Sequence, residues 1–269
     1  MVGDNAGWYG PWPDLGDPLP GRLLTFPRDT CQWENAVANV GLRCYGQHVD
    51  NNMGPEMCFG RTLLDANISS RVGFVPVALG GSVLARDWAP SMNLMHQLTN
   101  MTRVAMQAAG AGARLRGMLF IEGEGSAMDL YNSPENPIAH TWADTFRSMV
   151  LQIRSDLAYL NPCLPVVMAV QRIADRNRVF PLIDVVKAQQ QAVDMPNVFK
   201  ADMEFWEMYP VDFTEIYGAE VGLQSIHFTA SGSCDMGIAL AQSFIGASDN
   251  GKVMECTPSP PPPPPPPLW

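Results

Sequence analysis

Four short, largely apolar runs constrain this chain more than any other feature. They are VGFVPVAL (Val72–Leu79), LRGMLFI (Leu115–Ile121), LPVVMAV (Leu164–Val170) and NVFKA (Asn197–Ala201). A strand with one wet face alternates apolar and polar residues, whereas a strand buried on both faces does not. Helical stripes separate the runs. Leu94, Leu98, Met101, Ala105 and Ala108 recur at spacings of three and four, and Gly110 and Gly112 would end that helix. Trp142, Phe146, Met149, Ile153, Leu157 and Leu160 form the clearest stripe, stopped by Pro162. Phe180 to Val193 reads as another helix, and Met236, Leu240, Phe244 and Ile245 mark a last one. Buried strands alternating with amphipathic helices predict a parallel sheet covered on both sides, a doubly wound three-layer α/β/α fold.

Such sheets bind ligands beyond the carboxyl ends of their strands. Gly80-Gly81-Ser82 follows the first run and Glu122-Gly123-Glu124-Gly125 follows the second. His227, in LQSIHFTASGSCDMG, precedes the last helix, with Thr229 or Ser231 as its expected N-cap. A histidine there suits a general base or a residue packed against the helix start. His140 is expected at the surface or as a cap, and His96 in solvent. His48 has no arguable partner.

The ends of the chain look different. Residues 1–60 are rich in Gly, Pro, Trp and Asn with little periodicity, and read as a loop lining something. The end, from Cys256 to Trp269 with eight consecutive prolines, is low complexity, and residues 248–269 read as a polyproline II linker or stalk beyond a domain over 1–247.

Composition narrows the function classes. The net charge of −10 offers no basic patch for phosphates, so nucleic acid is an unlikely partner on physical grounds. No stretch approaches the ~20 apolar residues of a membrane helix. Six cysteines include no C-x-x-C pair, which disfavours zinc ribbons and redox sites. Cys163 is expected in or near the core, and Cys31, Cys44 and Cys58 lie in the loop-rich segment as candidates for a disulfide whose pairing the sequence leaves open. Two sequons, at Asn67 and Asn100, are close to chance. The GEGS segment lacks the Lys-Ser/Thr of a phosphate loop, and DNNMG lacks the remaining ligands of a calcium loop. No metal or cofactor is expected. The carboxylates of ADMEFWEMYP and DFTEIYGAE would suit a glycosidase, but read more simply as solvated acids beside aromatics in the core or on a sugar platform.

Five motifs occur in order: QWENA (Gln32–Ala36), NNMGPEMCFGRTLLD (Asn51–Asp65), GFVPVALGGSVLARDW (Gly73–Trp88), MLFIEGEGSA (Met118–Ala127) and IHFTASGSCDMG (Ile226–Gly237). Together they resemble the sialate O-acetylesterase-like carbohydrate esterases of the SGNH hydrolase superfamily, over residues 1–246. The resemblance implies a flavodoxin-like α/β/α fold and hydrolysis of acetyl esters on sugars by a serine nucleophile. His227 matches the family's general base, and the backbone of Gly80 or Gly81 matches an oxyanion donor. Glu122 and Gly123 fall on the family's Q-G-E segment.

Three positions depart from the pattern. The family's nucleophile is the serine of G-Q-S-N-M, and Met1-Val2-Gly3 reads as the end of that motif. The serine, and the strand that delivers it, are therefore expected upstream of Met1. Gln224 stands where the family's D-x-x-H places an aspartate, leaving a backbone carbonyl, Glu220 or Asp212 to orient the histidine. Glu122 replaces an amide donor, so it must either be protonated, with a strongly raised pKa, or turn to solvent and lose the role. These losses keep a second expectation open: a degenerate relative that binds glycans or serves as a wall module without turnover. Secretion is mildly favoured, and the oligomeric state is left open.

Overall fold

A computed structural model describes residues 14–37, 54–171, 179–202, 208–212 and 223–249. Met1, Gly3, His48, Cys44, Cys256, Glu220 and the proline tail lie outside the described residues, as do most of the two carboxylate-rich stretches.

Two parallel ladders form the middle layer. In the first, β1 (Leu23–Thr25) pairs in parallel with β3 (Val72–Phe74), and β2 (Glu34–Asn35) flanks β1 antiparallel. In the second, β4 (Met118–Phe120), β5 (Val166–Val170) and β6 (Val198–Asp202) run parallel in the order β4-β5-β6. Phe120 faces Met168, and Met168 faces Lys200. A separate antiparallel pair joins β7 (Met208–Asp212) to β8 (Leu223–Phe228).

Helices cover both faces. They are α1 (Glu56–Asp65), α2 (Asn93–Ala109), α3 (Trp142–Asp156), α4 (Ile183–Gln191) and α5 (Ala230–Asp249). Alternate residues of β5 point to opposite layers. Val166, Met168 and Val170 join Leu94, Phe146, Met149 and Ile153 of α2 and α3. Val167 and Ala169 join Phe59 and Leu63 of α1 and Leu240 and Phe244 of α5. Phe120 sits inside an aromatic nest, 5.7 Å from Trp88 and 5.4 Å from Phe146, with Trp142 stacked on Phe146. The expected three-layer α/β/α architecture is present. Among the described residues, no helix is long and apolar enough to cross a membrane.

One expectation is corrected. The segment read as one long loop holds β1, β2 and the start of α1. β1 is three residues, fenced by Gly21 and Pro27, too short for a periodicity to register. Its place in the sheet is set by neighbours: Gly60 of α1 lies so close to Leu23 and Phe74 that a side chain there would strike both. The cysteine pairing, which the sequence left open, is also decided. Cys58 bonds to Cys234, 176 residues away, tying α1 to α5, while Cys31 is free and exposed. Cys163 is half-buried and is also disulfide-bonded. Gly237 adds to the α1–α5 seam, since a Cβ there would meet the carbonyl of Pro55.

Candidate active site

The loops beyond the carboxyl ends of the strands meet on one side of the sheet. After β3, the chain runs extended through Pro76 to the Gly80-Gly81 turn. Gly81 has φ of +68°, which a side chain would strain, and both glycines are exposed. A one-turn π-helix follows (Leu84–Trp88). The Asp87 carboxylate accepts from the Val83 N–H at 2.7 Å and from the Arg86 guanidinium at 2.8 Å, fixing the turn. The Trp88 indole donates to Ser82 Oγ at 3.1 Å.

The loop after β4 packs directly on this turn. A Cβ on Gly125 would collide with the Ser82 carbonyl, and one on Gly123 would collide with Gln171. Both glycines are therefore required by close approach of neighbouring backbone and side chain. Gln171, the residue after β5, donates from its backbone N–H to Gln190 Oε1 at 2.6 Å and from Nε2 to Glu124 at 3.0 Å. Gln190 in turn donates to the Glu122 carbonyl at 2.9 Å. The Gln171 Oε1 is buried and, among the described residues, accepts no hydrogen bond.

Glu122 is only 5% exposed, so it does not turn to solvent. Its Oε1 accepts from Ser126 Oγ and its Oε2 from the Trp142 indole, each at 2.8 Å. Ser126 Oγ also accepts from the Leu84 N–H, linking Glu122 to the π-helix. Burial pushes the Glu122 carboxyl up to about 7, against the lowering effect of these two donors. Glu124 is raised by burial as well. Glu56, opening α1 after Gly54-Pro55, is likewise raised by burial to about 7. No sequence motif signalled the raised carboxyls of Glu56 and Glu124, because burial depends on non-local packing.

His227 lies at the end of β8, opposite Tyr209, and Gln224 lies opposite Val211. The register shifts between Tyr209 and Pro210, so Ile226 is an extra residue, a bulge. Two residues beyond His227, Thr229 Oγ1 accepts from the Gly232 N–H at 3.0 Å, capping α5 as expected. His96 and His140 are exposed, as their positions predicted.

The comparisons decide the family. The profile of the family described as carbohydrate esterase, sialic acid-specific acetylesterase, matches residues 2–246. The chain belongs to this family. Two solved structures share its fold. A protein from Arabidopsis thaliana superposes with a TM-score of 0.66 at 19% identity, covering 89% of this chain and 86% of that one. NanS superposes with a TM-score of 0.65 at 16% identity, covering 88% and 91%. No curated protein matches the chain. Membership implies an acetylated carbohydrate as the substrate class. Among the described residues, no cluster of His, Cys, Asp and Glu could hold a metal ion.

Proposed function

We propose that this chain forms most of a serine carbohydrate esterase that removes O-acetyl groups from sugars, with its nucleophile supplied from upstream of Met1. The observation that carries the reading is the cavity between the two ladders. Its lining includes Ser82 and Trp88 of the turn after β3, and Gly54 and Glu56 at the start of α1. A serine carried at the carboxyl end of a segment in this cavity would emerge beside the Gly80-Gly81 turn.

The chemistry is acyl transfer. The serine hydroxyl attacks the acetyl carbonyl while His227 accepts its proton, since an unassisted hydroxyl is a weak nucleophile at neutral pH. The N–H groups of the Gly80-Gly81 turn and of Gly123 are the candidate donors to the tetrahedral oxyanion. Collapse of the intermediate breaks the ester C–O bond, and His227 returns the proton to the leaving sugar hydroxyl. Water then releases acetate from the acyl-serine by the same path. Gln224, at the family's aspartate position, is the candidate orienting partner of His227.

One observation favours a second reading, a glycan-binding relative without turnover. Both carboxylate oxygens of Glu122 already accept hydrogen bonds, so its side chain serves the scaffold rather than an oxyanion. The test is acetate release from an acetylated xylo-oligosaccharide by the chain extended at its amino end with a strand ending in Gly-Gln-Ser-Asn. Release abolished by His227→Ala, with folding retained, supports the esterase. No release, together with retention on an immobilised polysaccharide, supports the binding module.

A further inference from the structure

The net charge of −10, which reads as offering no basic patch, is an average over the chain, and the fold does not spread its charges evenly. Four exposed arginines gather where strands begin. Arg22 immediately precedes β1, Arg71 immediately precedes β3, and Arg114 and Arg116 lie on the approach to β4. Leu23 faces Val72 in the parallel register, and the Val72 N–H donates to the Arg22 carbonyl at 2.8 Å. Arg22 and Arg71 are therefore neighbours on adjacent chains, about 5 Å apart along the backbone. Leu115 is half-buried while Arg114 and Arg116 on either side of it are exposed, the alternation of an extended segment with one wet side. The two ladders point the same way, since the turn after β3 and the loop after β4 meet at Ser82 and Gly125. All four arginines thus stand at the amino end of the middle layer, where they line the gap between the ladders. The candidate active site lies at the opposite, carboxyl end.

These charges are not compensated from within. The ion pairs of the described residues, Arg61 with Asp65, Arg86 with Asp87 and Arg147 with Asp144, involve none of the four. Arg22 and Arg71 each donate from Nε, to the carbonyls of Ser70 at 3.5 Å and Gly21 at 2.9 Å. Those bonds brace the strand starts and leave the terminal guanidinium nitrogens for an outside partner. The lining of the gap holds one acid, Glu56, and it opens α1 at the far end. Like charges side by side on neighbouring strands destabilise a sheet, and a bound anion removes that cost.

We propose that this arginine face is a docking surface for an acidic polysaccharide, a chain of uronic acid residues whose carboxylates pair with the guanidiniums. The planar fork of N–H donors on arginine matches a carboxylate. Charge and family together select the partner. A nucleic acid duplex would extend past four arginines onto a surface that carries the excess of acids, where its phosphates are repelled. A polyuronate is more sparsely charged and offers apolar ring faces, for which Ile68, 40% exposed, lies in the same lining. The family acts on carbohydrate. Docking at the amino end holds a polymer while leaving the carboxyl end open. The surface does not depend on turnover, so a glycan-binding relative without activity would use it equally.

The test measures binding of polygalacturonate to the full chain at low ionic strength, beside the same polymer fully methyl-esterified. Binding is expected for the free acid only, weakening as salt rises. Arg114→Gln with Arg116→Gln is expected to weaken it roughly tenfold. Circular dichroism should not change, because neither side chain braces the backbone. Arg114→Lys with Arg116→Lys keeps the charge and should retain most of the affinity, and Arg147→Gln on α3 should leave it unaltered. Equal binding of the esterified polymer, or undiminished binding by the folded double Gln variant, overturns the proposal. So does tighter binding to duplex DNA or to phosphatidylserine vesicles, which would give the face to nucleic acid or to a membrane. No readout here is acetate release, so failure of the docking surface and failure of the esterase reading are told apart.

Discussion

β5 lies between β4 and β6, and all five of its residues are buried. Among the described residues, β3 has β1 on one side only, and its three residues are half-buried or exposed, although its sequence run is as apolar as that of β5. β4 is intermediate: Phe120, turned into the aromatic nest, is buried, while Met118 and Leu119 at the edge are half-buried. Similar local sequence thus yields full burial where a strand has two neighbours and partial burial where it has one. An apolar run without alternation encodes a strand covered on both faces, and lateral pairing, which the pattern does not encode, decides how far that cover is completed.

Substitutions can break or sharpen this contrast. Met168→Ala, in the middle of β5, is expected to cost about 4 kcal/mol in urea denaturation, as buried Met truncations typically do. Removing the Cys58–Cys234 bridge by Cys58→Ser with Cys234→Ser is expected to cost about 3 kcal/mol. It should also raise amide exchange at β3 more than at β5, because α1 and α5 bind the first ladder to the second across the gap. Equal loosening of β3 and β5 would show that the ladders hold together without this clamp.

Glu122 gives a pH-dependent effect. Its carboxyl sits near 7 in the fold against an ordinary 4.5. Between those values the folded state keeps a proton that the unfolded chain has released, so stability falls as pH rises through the window. Glu122→Gln should remove on the order of 2–3 kcal/mol of that loss, making the variant the more stable protein at pH 8 but not at pH 4. An amide can still accept from the Trp142 indole while donating to Ser126 Oγ. Glu56 shifts in the same direction, so a shallower decline remains in the variant. Thermal melts across pH 4–8 read the difference. The smallest effect is expected at Leu119→Ala, about 1 kcal/mol, because its side chain borders the gap and is already half-hydrated. A cost equal to that of Met168→Ala would mean that β4 is as enclosed as β5.

Much of the scaffold was legible. α2 and α3 follow from their apolar stripes, β5 from its unbroken run, and the cap of α5 from Thr229. β3 stopped short of the expected Leu79 because Pro76 has no N–H to give a ladder. β1 was too short to show a period, and β8 too interrupted by its bulge. Within the site, the Gly80-Gly81 turn and the Gly123 loop were visible as glycines after apolar runs. The inward turn of Glu122 was not, because it depends on Trp142, Ser126 and Leu84.

What the sequence determined by itself was the succession of buried strands and amphipathic helices, and through its ordered motifs the family. Periodicity is a local property, readable wherever an element spans several residues. Only the tertiary structure decided which strands stand side by side, that Cys58 finds Cys234, that Glu122 is held by two donors, and that a gap separates β3 from β4. Each of these joins residues distant in the chain, and neither local propensity nor spacing carries that information.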